Sequence, residues 1–318
     1  MRVTKLYRGN HVAVILPCFN EVAVIASVIG AFRTALPEAS IFVFDNDSTD
    51  GTAEAAAAAG AVVRHVPQRG KGNVVRRQFA DVDADVYVMA DGDGTYDAGQ
   101  SRALVDMLLD SGLDMVVGTR QTQGDGGEYR PGHVLGNRVL TGTVARIFGR
   151  GFSDMLSGYR VLSRRFVKSF PALSKGFEIE TELTIHALEL RAPYGEMPTL
   201  YGSRVEGSTS KLSTIRDGWM IVVAIVRLFA RERPRQLYMT LGAIVVAVSI
   251  LLAIPVFIDY LETGLVPRFP TAILSGMGVI AGLVLGATSV ILDSVVTGRR
   301  EVKRLRYLEI PAPRSAEL

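Results

Sequence analysis

The sequence predicts an α/β fold: a Rossmann-like, mostly parallel sheet, followed by an interfacial helix and two transmembrane helices. Three observations lead there. Between residues 11 and 118, short runs rich in Val and Ile alternate with helical patterns, the signature of βαβ units. Residues 213–231 set apolar side chains and arginines on opposite faces at helical spacing. Residues 237–258 and 269–292 contain no charged residue, and each run exceeds the ~20 residues a helix needs to cross a hydrocarbon core of about 30 Å.

Taken in order, "HVAVILP" (11–17) reads as a first strand rather than a signal peptide, and Asn20-Glu21 opens a helix to about Leu36. "IFVFD" is a second strand, followed by "NDSTDGT" and an alanine-rich helix ending at Gly60. "AVVRHV" is a third strand, and "GKGNVVRRQFADV" turns into a helix. "DVYVMA" and "LDMVVG" are a fourth and fifth strand, separated by a helix around residues 98–111. Ligands of parallel α/β sheets bind beyond the carboxyl ends of the strands. There the chain places "PCFNE", "DNDSTDGT", "QRGKG", "DGDGTYD" and "GTR".

The C-terminal third predicts membrane attachment. Ile215, Trp219, Val222, Val226 and Phe229 share one helical face, with Arg216, Arg227 and Arg231 toward the other. Such a helix suits the membrane interface, a core helix being the alternative. Arg231, Arg233 and Arg235 precede the first uncharged run; Arg299, Arg300, Lys303, Arg304 and Arg306 follow the second. The positive-inside rule then puts both ends and the large domain in the cytoplasm, giving a multi-pass plasma-membrane protein. The boundaries read as a catalytic domain over 1–212, juxtamembrane helices over 213–236, two spans over 237–295 and a basic tail over 296–318. Gly278, Gly282 and Gly286 give the second span a smooth face, toward the first span or toward another subunit.

Charge and cysteine content narrow the partners. A net charge of +3 over 318 residues argues against nucleic acid, and a single cysteine, Cys18, precludes an internal disulfide. In "DGDGTYD", Asp91 and Asp93 lie two apart at a strand end and can both reach one Mg²⁺ or Mn²⁺ ion, which favours oxygen ligands. An ordinary Asp-Gly turn is the alternative, and Asp97 reads as a helix cap. Lys71, between glycines at a helix start, suits a nucleotide phosphate or base edge; a flexible corner is the plainer reading. Glu178, Glu180 and Glu182 fall together in "GFEIETE", as candidate site acids or as a solvated helix start. The glycine-rich "QTQGDGGEYRPGH" after Arg120 reads as a lid or as a disordered loop.

The ordered set "PCFNE", "DNDSTDGT", "GKG", "DGD", "GTR", "SGYRVLSRR" and "RVEGSTSKL" resembles family 2 glycosyltransferases of the GT-A fold. With the two C-terminal runs it is similar to their polyprenyl-phosphate branch, typified by dolichyl-phosphate mannose synthase and undecaprenyl-phosphate glycosyltransferases. The resemblance implies inverting transfer of a sugar from a nucleotide diphosphate to a polyprenyl phosphate. It also implies a Mg²⁺ or Mn²⁺ cofactor and a homo-oligomer. It assigns nucleotide-sugar binding to Pro17, Phe19, Glu21, Asp45, Lys71, Asp91 and Asp93, and metal binding to Asp91, Asp93 and Thr95. Arg120, Arg138, Arg204 and Lys211 join Asp93 as catalytic residues facing the diphosphate or the acceptor phosphate. Asp154, Ser157, Glu180, Ser208 and Ser210 fall on the acceptor or sugar side.

The acceptor bears on mechanism. A sugar hydroxyl needs a general base, whereas a monoalkyl phosphate, with a second pKa of about 6, is mostly dianionic and needs positioning cations instead. The sequence supplies such cations, and its four histidines form no convincing catalytic set. The "QxxRW" element of processive synthases is absent, Trp219 being the only tryptophan. Transfer to a lipid-linked sugar hydroxyl, and a non-catalytic membrane scaffold, stand as the alternatives.

Overall fold

The computed structural model describes residues 5–122, 142, 152–176, 178–202 and 233–314. It divides into two compact units, Met1–Ile221 with Val302–Leu318, and Val222–Glu301. The larger holds a seven-stranded sheet of order β3-β2-β1-β4-β6-β5-β7.

β1 (Val12–Cys18) is an interior strand of the sheet, buried at every position. Its continuous apolar run, without polar alternation, reflects cover on both faces. β2 (Ser40–Asp45) and β4 (Val86–Met89) flank it in parallel, and β3 (Val62–His65) extends β2 to the edge. The next three strands are β5 (Met115–Thr122), β6 (Arg160–Ser163) and β7 (Tyr194–Tyr201). β6 runs antiparallel between β4 and β5, and β7 pairs in parallel with β5. All strands but β6 therefore end at the same edge, as the alternation predicts. The fifth strand runs through Arg120 to Thr122 instead of closing there.

α1 (Ile25–Ala35) buries Ile25, Val28, Ile29 and Phe32, an i, i+3, i+4, i+7 stripe; each such side chain contributes about 1.5–3 kcal/mol when fully buried. It starts four residues later than Asn20-Glu21 suggests. Asn20 takes a left-handed φ of 55°, and Glu21 instead offers its carbonyl to the amides of Val24 and Ile25. α2 (Thr52–Ala58) and α3 (Lys71–Asp81) follow β2 and β3, and a 3₁₀ turn (Ala98–Gln100) leads into α4 (Ser101–Asp110). Asp97 accepts from the Gly99 amide at 2.8 Å and so caps that turn. α5 (Arg164–Ser169) is capped by the Ser163 hydroxyl, and α6 (Ile179–Leu190) completes the described helices of the sheet domain.

Asp114, fully buried before β5, gathers a hydrogen-bond network. It accepts from Ser163 Oγ at 2.6 Å, from Arg165 Nε and Nη2 at 2.5 and 2.8 Å, and from Tyr307 Oη at 2.5 Å. Lys303 Nζ adds an ion pair with Glu189 Oε2 at 2.7 Å, and the Arg314 amide donates to Asn10 Oδ1 at 2.8 Å. Lys303, Tyr307 and Arg314 are thereby built into the sheet unit.

The second unit contains α7 (Pro234–Thr263) and most of α8 (Phe269–Leu308), with mean hydropathies of 2.9 and 2.1 over their most apolar windows. Both helices are long and apolar enough to cross a membrane, and Leu251, Phe257, Leu274 and Leu283 stand exposed on them. The glycine face of α8 meets α7. A Cβ at Gly278 would lie 2.0 Å from Ser249 Oγ, and one at Gly282 would lie 2.4 Å from Val246 Cγ2. The amphipathic segment 213–231 and the loop 123–133 lie outside the described residues.

Arg165→Ala leaves the fully buried Asp114 carboxylate without its guanidinium. Loss of one partner of a buried pair costs about 3–5 kcal/mol. With Ser163 and Tyr307 still donating, the expected loss is near the lower end, a melting temperature in detergent lower by roughly 6–12 °C. A shift below about 2 °C would show that the guanidinium contributes little there.

Candidate active site

Three strand ends bring carboxylates together. β1 leads into Phe19 and Glu21, β2 ends on Asp45, and β4 leads through Ala90 into Asp91, Gly92 and Asp93. The buried Cys18 thiol registers the convergence: burial pushes its pKa up, and Glu21, Asp45, Asp91 and Asp93 all push it further. Gly92 is needed for this approach, because a Cβ there would lie 2.3 Å from Cys18 Sγ. The Gly92 amide donates to the Pro17 carbonyl at 3.4 Å, which ties the acidic loop to the end of β1.

On the β2 side, Asp45 is 3% exposed. Its Oδ2 accepts from the Ser48 amide at 3.2 Å and lies 3.5 Å from His65 Nδ1, while its buried Oδ1 has no hydrogen-bond partner. Asp50 accepts from the amides of Val22 and Thr52 and so joins the first two loops. Asp47 pairs with Arg69 at 3.1 Å, and the Arg69 guanidinium lies over the Phe19 ring at 4.8 Å. Phe19 and Asp47 thus share the Arg69 guanidinium.

On the β4 side the acids are buried to different depths. Asp93 is 6% exposed, and its Oδ1 accepts from the Thr95 hydroxyl at 2.7 Å and the Thr95 amide at 3.2 Å. Asp91 is more open and pairs with Lys71 from the start of α3. Lys71 Nζ also contacts Glu180 Oε1, from the first turn of α6, at 2.5 Å. Burial alone would depress the Lys71 ammonium, but Asp91 and Glu180 more than offset it and raise its pKa. Burial pushes the Glu180 carboxyl up, with Lys71 opposing.

The glycines of "GKG" have a packing role that the sequence reading did not give them. Gly70 takes φ of 121°, and a Cβ there would lie 2.2 Å from the Lys175 carbonyl oxygen; one at Gly72 would lie 2.3 Å from that of Ser174. They let α3 start against the 174–175 backbone, and so aim Lys71 inward.

Arg120 and Asp154 form a second cluster. The guanidinium is bidentate, Nε to Oδ2 at 2.8 Å and Nη2 to Oδ1 at 2.7 Å, and the Arg120 amide adds a third bond to Oδ2 at 3.2 Å. Burial pushes the Asp154 carboxyl up, but the hydrogen bonds and charge of Arg120 outweigh it and hold the pKa below the usual carboxylate value. Ser157 donates to the Gly118 carbonyl at 2.6 Å, so its hydroxyl braces β5 against the 157–159 turn. Arg160 is fully buried and donates to the carbonyls of Met155 and Ser157 rather than to an acid; burial lowers its pKa to about 10.

Tyr96 links the two clusters and was not singled out from the sequence. Its hydroxyl accepts from the Gly158 amide at 2.8 Å. Burial raises its pKa and Asp91 adds to that, while Arg120 and Lys71 oppose. Tyr96 also stands edge-on to Tyr201, whose ring lies 5.6 Å from the Arg120 guanidinium. Its only sequence signal was its place directly after "DGDGT". Arg138, Arg204, Ser208, Ser210 and Lys211 lie outside the described residues.

Comparisons with known proteins bear on the family and the fold. Residues 13–170 match the model of glycosyl transferase family 2. Glycosyltransferase AglJ of Haloferax volcanii is 33% identical over 307 residues, covering 94% of this chain and 99% of that one. The chain belongs to glycosyl transferase family 2. The dolichol-phosphate mannosyltransferase of Pyrococcus furiosus is 26% identical over 62% of this chain and 58% of that one. Among solved structures, glucosyl-3-phosphoglycerate synthase from Mycobacterium tuberculosis, in complex with Mn²⁺ and UDP-glucose, superposes with a TM-score of 0.56. It is 27% identical and covers 70% of this chain and 79% of that one. The sheet domain is accordingly a GT-A glycosyltransferase domain, as its motifs imply.

A divalent ion fits the acidic loop of this family member by donor chemistry. Asp91, Asp93 and Thr95 offer hard oxygens, and Mg²⁺ or Mn²⁺ is commonly held by one or two carboxylates with substrate phosphates and water completing the shell. Among the described residues no three His, Cys, Asp or Glu side chains group to hold a metal by themselves.

Asp154→Asn removes the charge-assisted bonds from Arg120, worth roughly 2–3 kcal/mol. Because the folded pKa of Asp154 is depressed, that stability is present above the unfolded value of about 3.9 and is lost as pH falls through the lower folded value. Thermal melts of wild type and variant are therefore expected to differ fully at pH 7 and to converge below about pH 4. A constant difference down to pH 3 would assign the loss to packing alone.

Proposed function

We propose that this glycosyltransferase is membrane-bound and moves a hexose or N-acetylhexosamine, with inversion, from a nucleoside diphosphate to a polyprenyl phosphate at the cytoplasmic face. The observation that carries the reading is the acidic cluster at the strand ends, Glu21, Asp45, Asp91 and Asp93 around Cys18, in a chain that also contains two helices able to cross a bilayer. The likeness to a dolichol-phosphate mannosyltransferase supports the acceptor class. In this reading residues 1–212 form the catalytic domain, 213–236 the interface helices, 237–295 the spans and 296–318 the tail, and the chain assembles with copies of itself.

Each group then has a task. The unpartnered Asp45 Oδ1 and the Glu21 carboxylate accept hydrogen bonds from the base or ribose, beside Phe19 and Pro17. Asp91, Asp93 and Thr95 hold Mg²⁺ or Mn²⁺, which when bound neutralises charge on the diphosphate. The acceptor phosphate oxygen attacks the anomeric carbon, its bond to the nucleoside diphosphate breaks, and the diphosphate leaves with the electron pair. No proton need be removed, because the acceptor is already ionised. Arg120, kept in place by Asp154, acts with Arg138, Arg204 and Lys211 to orient the acceptor and balance its charge. Ser208 and Ser210 hydrogen-bond phosphate or sugar oxygens.

Membranes containing the protein are to be incubated with a panel of labelled nucleotide sugars. Label from one donor is expected in the lipid fraction, in a form that mild acid releases. Asp93→Ala and Asp91→Ala are each expected to lower the transfer rate about 10²-fold or more. Lipid label that resists mild acid would move the acceptor to a hydroxyl, and unchanged rates in both variants would remove the metal role.

A further inference from the structure

Lys71 is an unusual neighbour for a metal-binding carboxylate. Its side chain is 9% exposed and its ammonium touches two acids of unequal standing, Asp91 at 28% and Glu180 at 4% exposure. Asp91 belongs to the acidic loop. Glu180 comes from the first turn of α6 and is an N-terminal, helix-favoured position for an acid. Its second oxygen, Oε2, is buried with no hydrogen-bond partner. Lys71 therefore has an open anionic oxygen beside it on the Glu180 side as well as its contact with Asp91. The pocket around the three groups is closed tightly. A Cβ at residue 158 would lie 2.8 Å from Asp91 Oδ2 and 3.1 Å from Lys71 Nζ, so a side chain there would displace the ends of both.

We propose that Lys71 is the built-in counter-cation of Asp91, and that Glu180 is the carboxylate onto which Lys71 withdraws when Asp91 turns to a divalent ion, so that the Lys71–Glu180 pair sets the site's affinity for that ion. The proposal rests on the metal reading of Asp91 and Asp93 given above. Without a cation, Asp91 and the buried Glu180 would repel one another. Lys71 balances the Asp91 charge through their ion pair. An incoming ion must compete with the ammonium for that carboxylate. Glu180 lowers the cost of the exchange, because it retains the displaced ammonium in a charge-assisted contact. Lys71 and Glu180 are thus positioning residues that act through Asp91. Arg160, also close enough to feel Glu180 and Asp154, is bonded to backbone carbonyls and does not take part in the exchange.

The two members of the pair have opposite predicted effects, which a merely structural role would not give. Removing the ammonium removes the competitor; neutralising Glu180 removes the charge onto which the ammonium would withdraw. Mn²⁺ uptake by the purified full-length chain in detergent, without nucleotide, can be followed by the loss of the free-ion paramagnetic resonance signal. Lys71→Met is expected to tighten Mn²⁺ binding roughly tenfold, and Glu180→Gln to weaken it about three- to tenfold. Arg102→Met makes the same charge change as Lys71→Met at an exposed position and is expected to leave binding within about twofold. Should Lys71→Met fail to fold, the double variant Lys71→Met/Glu180→Gln, which removes both buried charges, is expected to bind Mn²⁺ more tightly than Glu180→Gln alone. If Asp93→Asn abolishes uptake while Lys71→Met and Glu180→Gln match wild type, the proposal is overturned and the metal reading stands. Equal tightening by Arg102→Met also overturns it. If Asp93→Asn binds Mn²⁺ as wild type does, the metal reading fails, and the proposal with it.

Discussion

The catalytic end of this protein is organised by the need to keep carboxylates close together. A parallel sheet ends its strands at one edge, and here three of those ends carry acids within reach of a single buried thiol. Like charges so placed repel one another, and the fold sets a positive charge among them. Lys71 supplies it from α3 and Glu180 braces it from α6. Packing follows from this choice. Gly70 and Gly72 let α3 approach the 174–175 backbone, Gly158 leaves room for Asp91 and the ammonium, and Gly92 lets the acidic loop lie on Cys18. Four of the glycines in motif positions are there because a side chain would collide with the electrostatic centre or with the backbone that frames it.

A second pair, Arg120 and Asp154, uses the same logic one strand further on. β5 carries the arginine, and the turn before β6 carries its acid, whose depressed pKa keeps the bridge intact at neutral pH. Tyr96 lies between the pairs, hydrogen-bonded to the Gly158 amide and packed on Tyr159 and Tyr201. The site therefore consists of two charge-balanced clusters with an aromatic partition, and a ligand with spread negative charge would meet cations already held by acids. Held cations lose little freedom on binding.

Much of this was legible in the sequence because β1 to β5 obey local rules. Their strands are apolar runs separated by helices with a 3.6-residue stripe, and that period identified both the elements and the edge where their loops meet. β6 and β7 escaped the same reading. β6 spans four residues and begins with the fully buried Arg160, a residue that single-sequence patterning assigns to a surface. β7 contains Glu196 and Pro198, which break an apolar pattern, and it tolerates them as the last strand of the sheet. The acids of the site were legible as types clustered at strand ends. Their pairing was not, since Lys71 meets Glu180 across more than a hundred residues of chain, and no local spacing records such a contact.

The histidines sharpen the chemical reading. His186 is buried between Phe166 and Phe170, with Nε2 3.0 Å from Ser169 Oγ and a pKa that burial lowers to about 3. A neutral imidazole so enclosed cannot exchange protons with a substrate. His65 is exposed and lies near Asp45, on the side assigned to the nucleotide. The carboxylates nearest the acidic loop are themselves engaged, Asp91 and Glu180 with Lys71 and Asp93 with Thr95. A hydroxyl acceptor would need one of these groups released to take its proton. A phosphate acceptor, ionised before it arrives, makes no such demand on them.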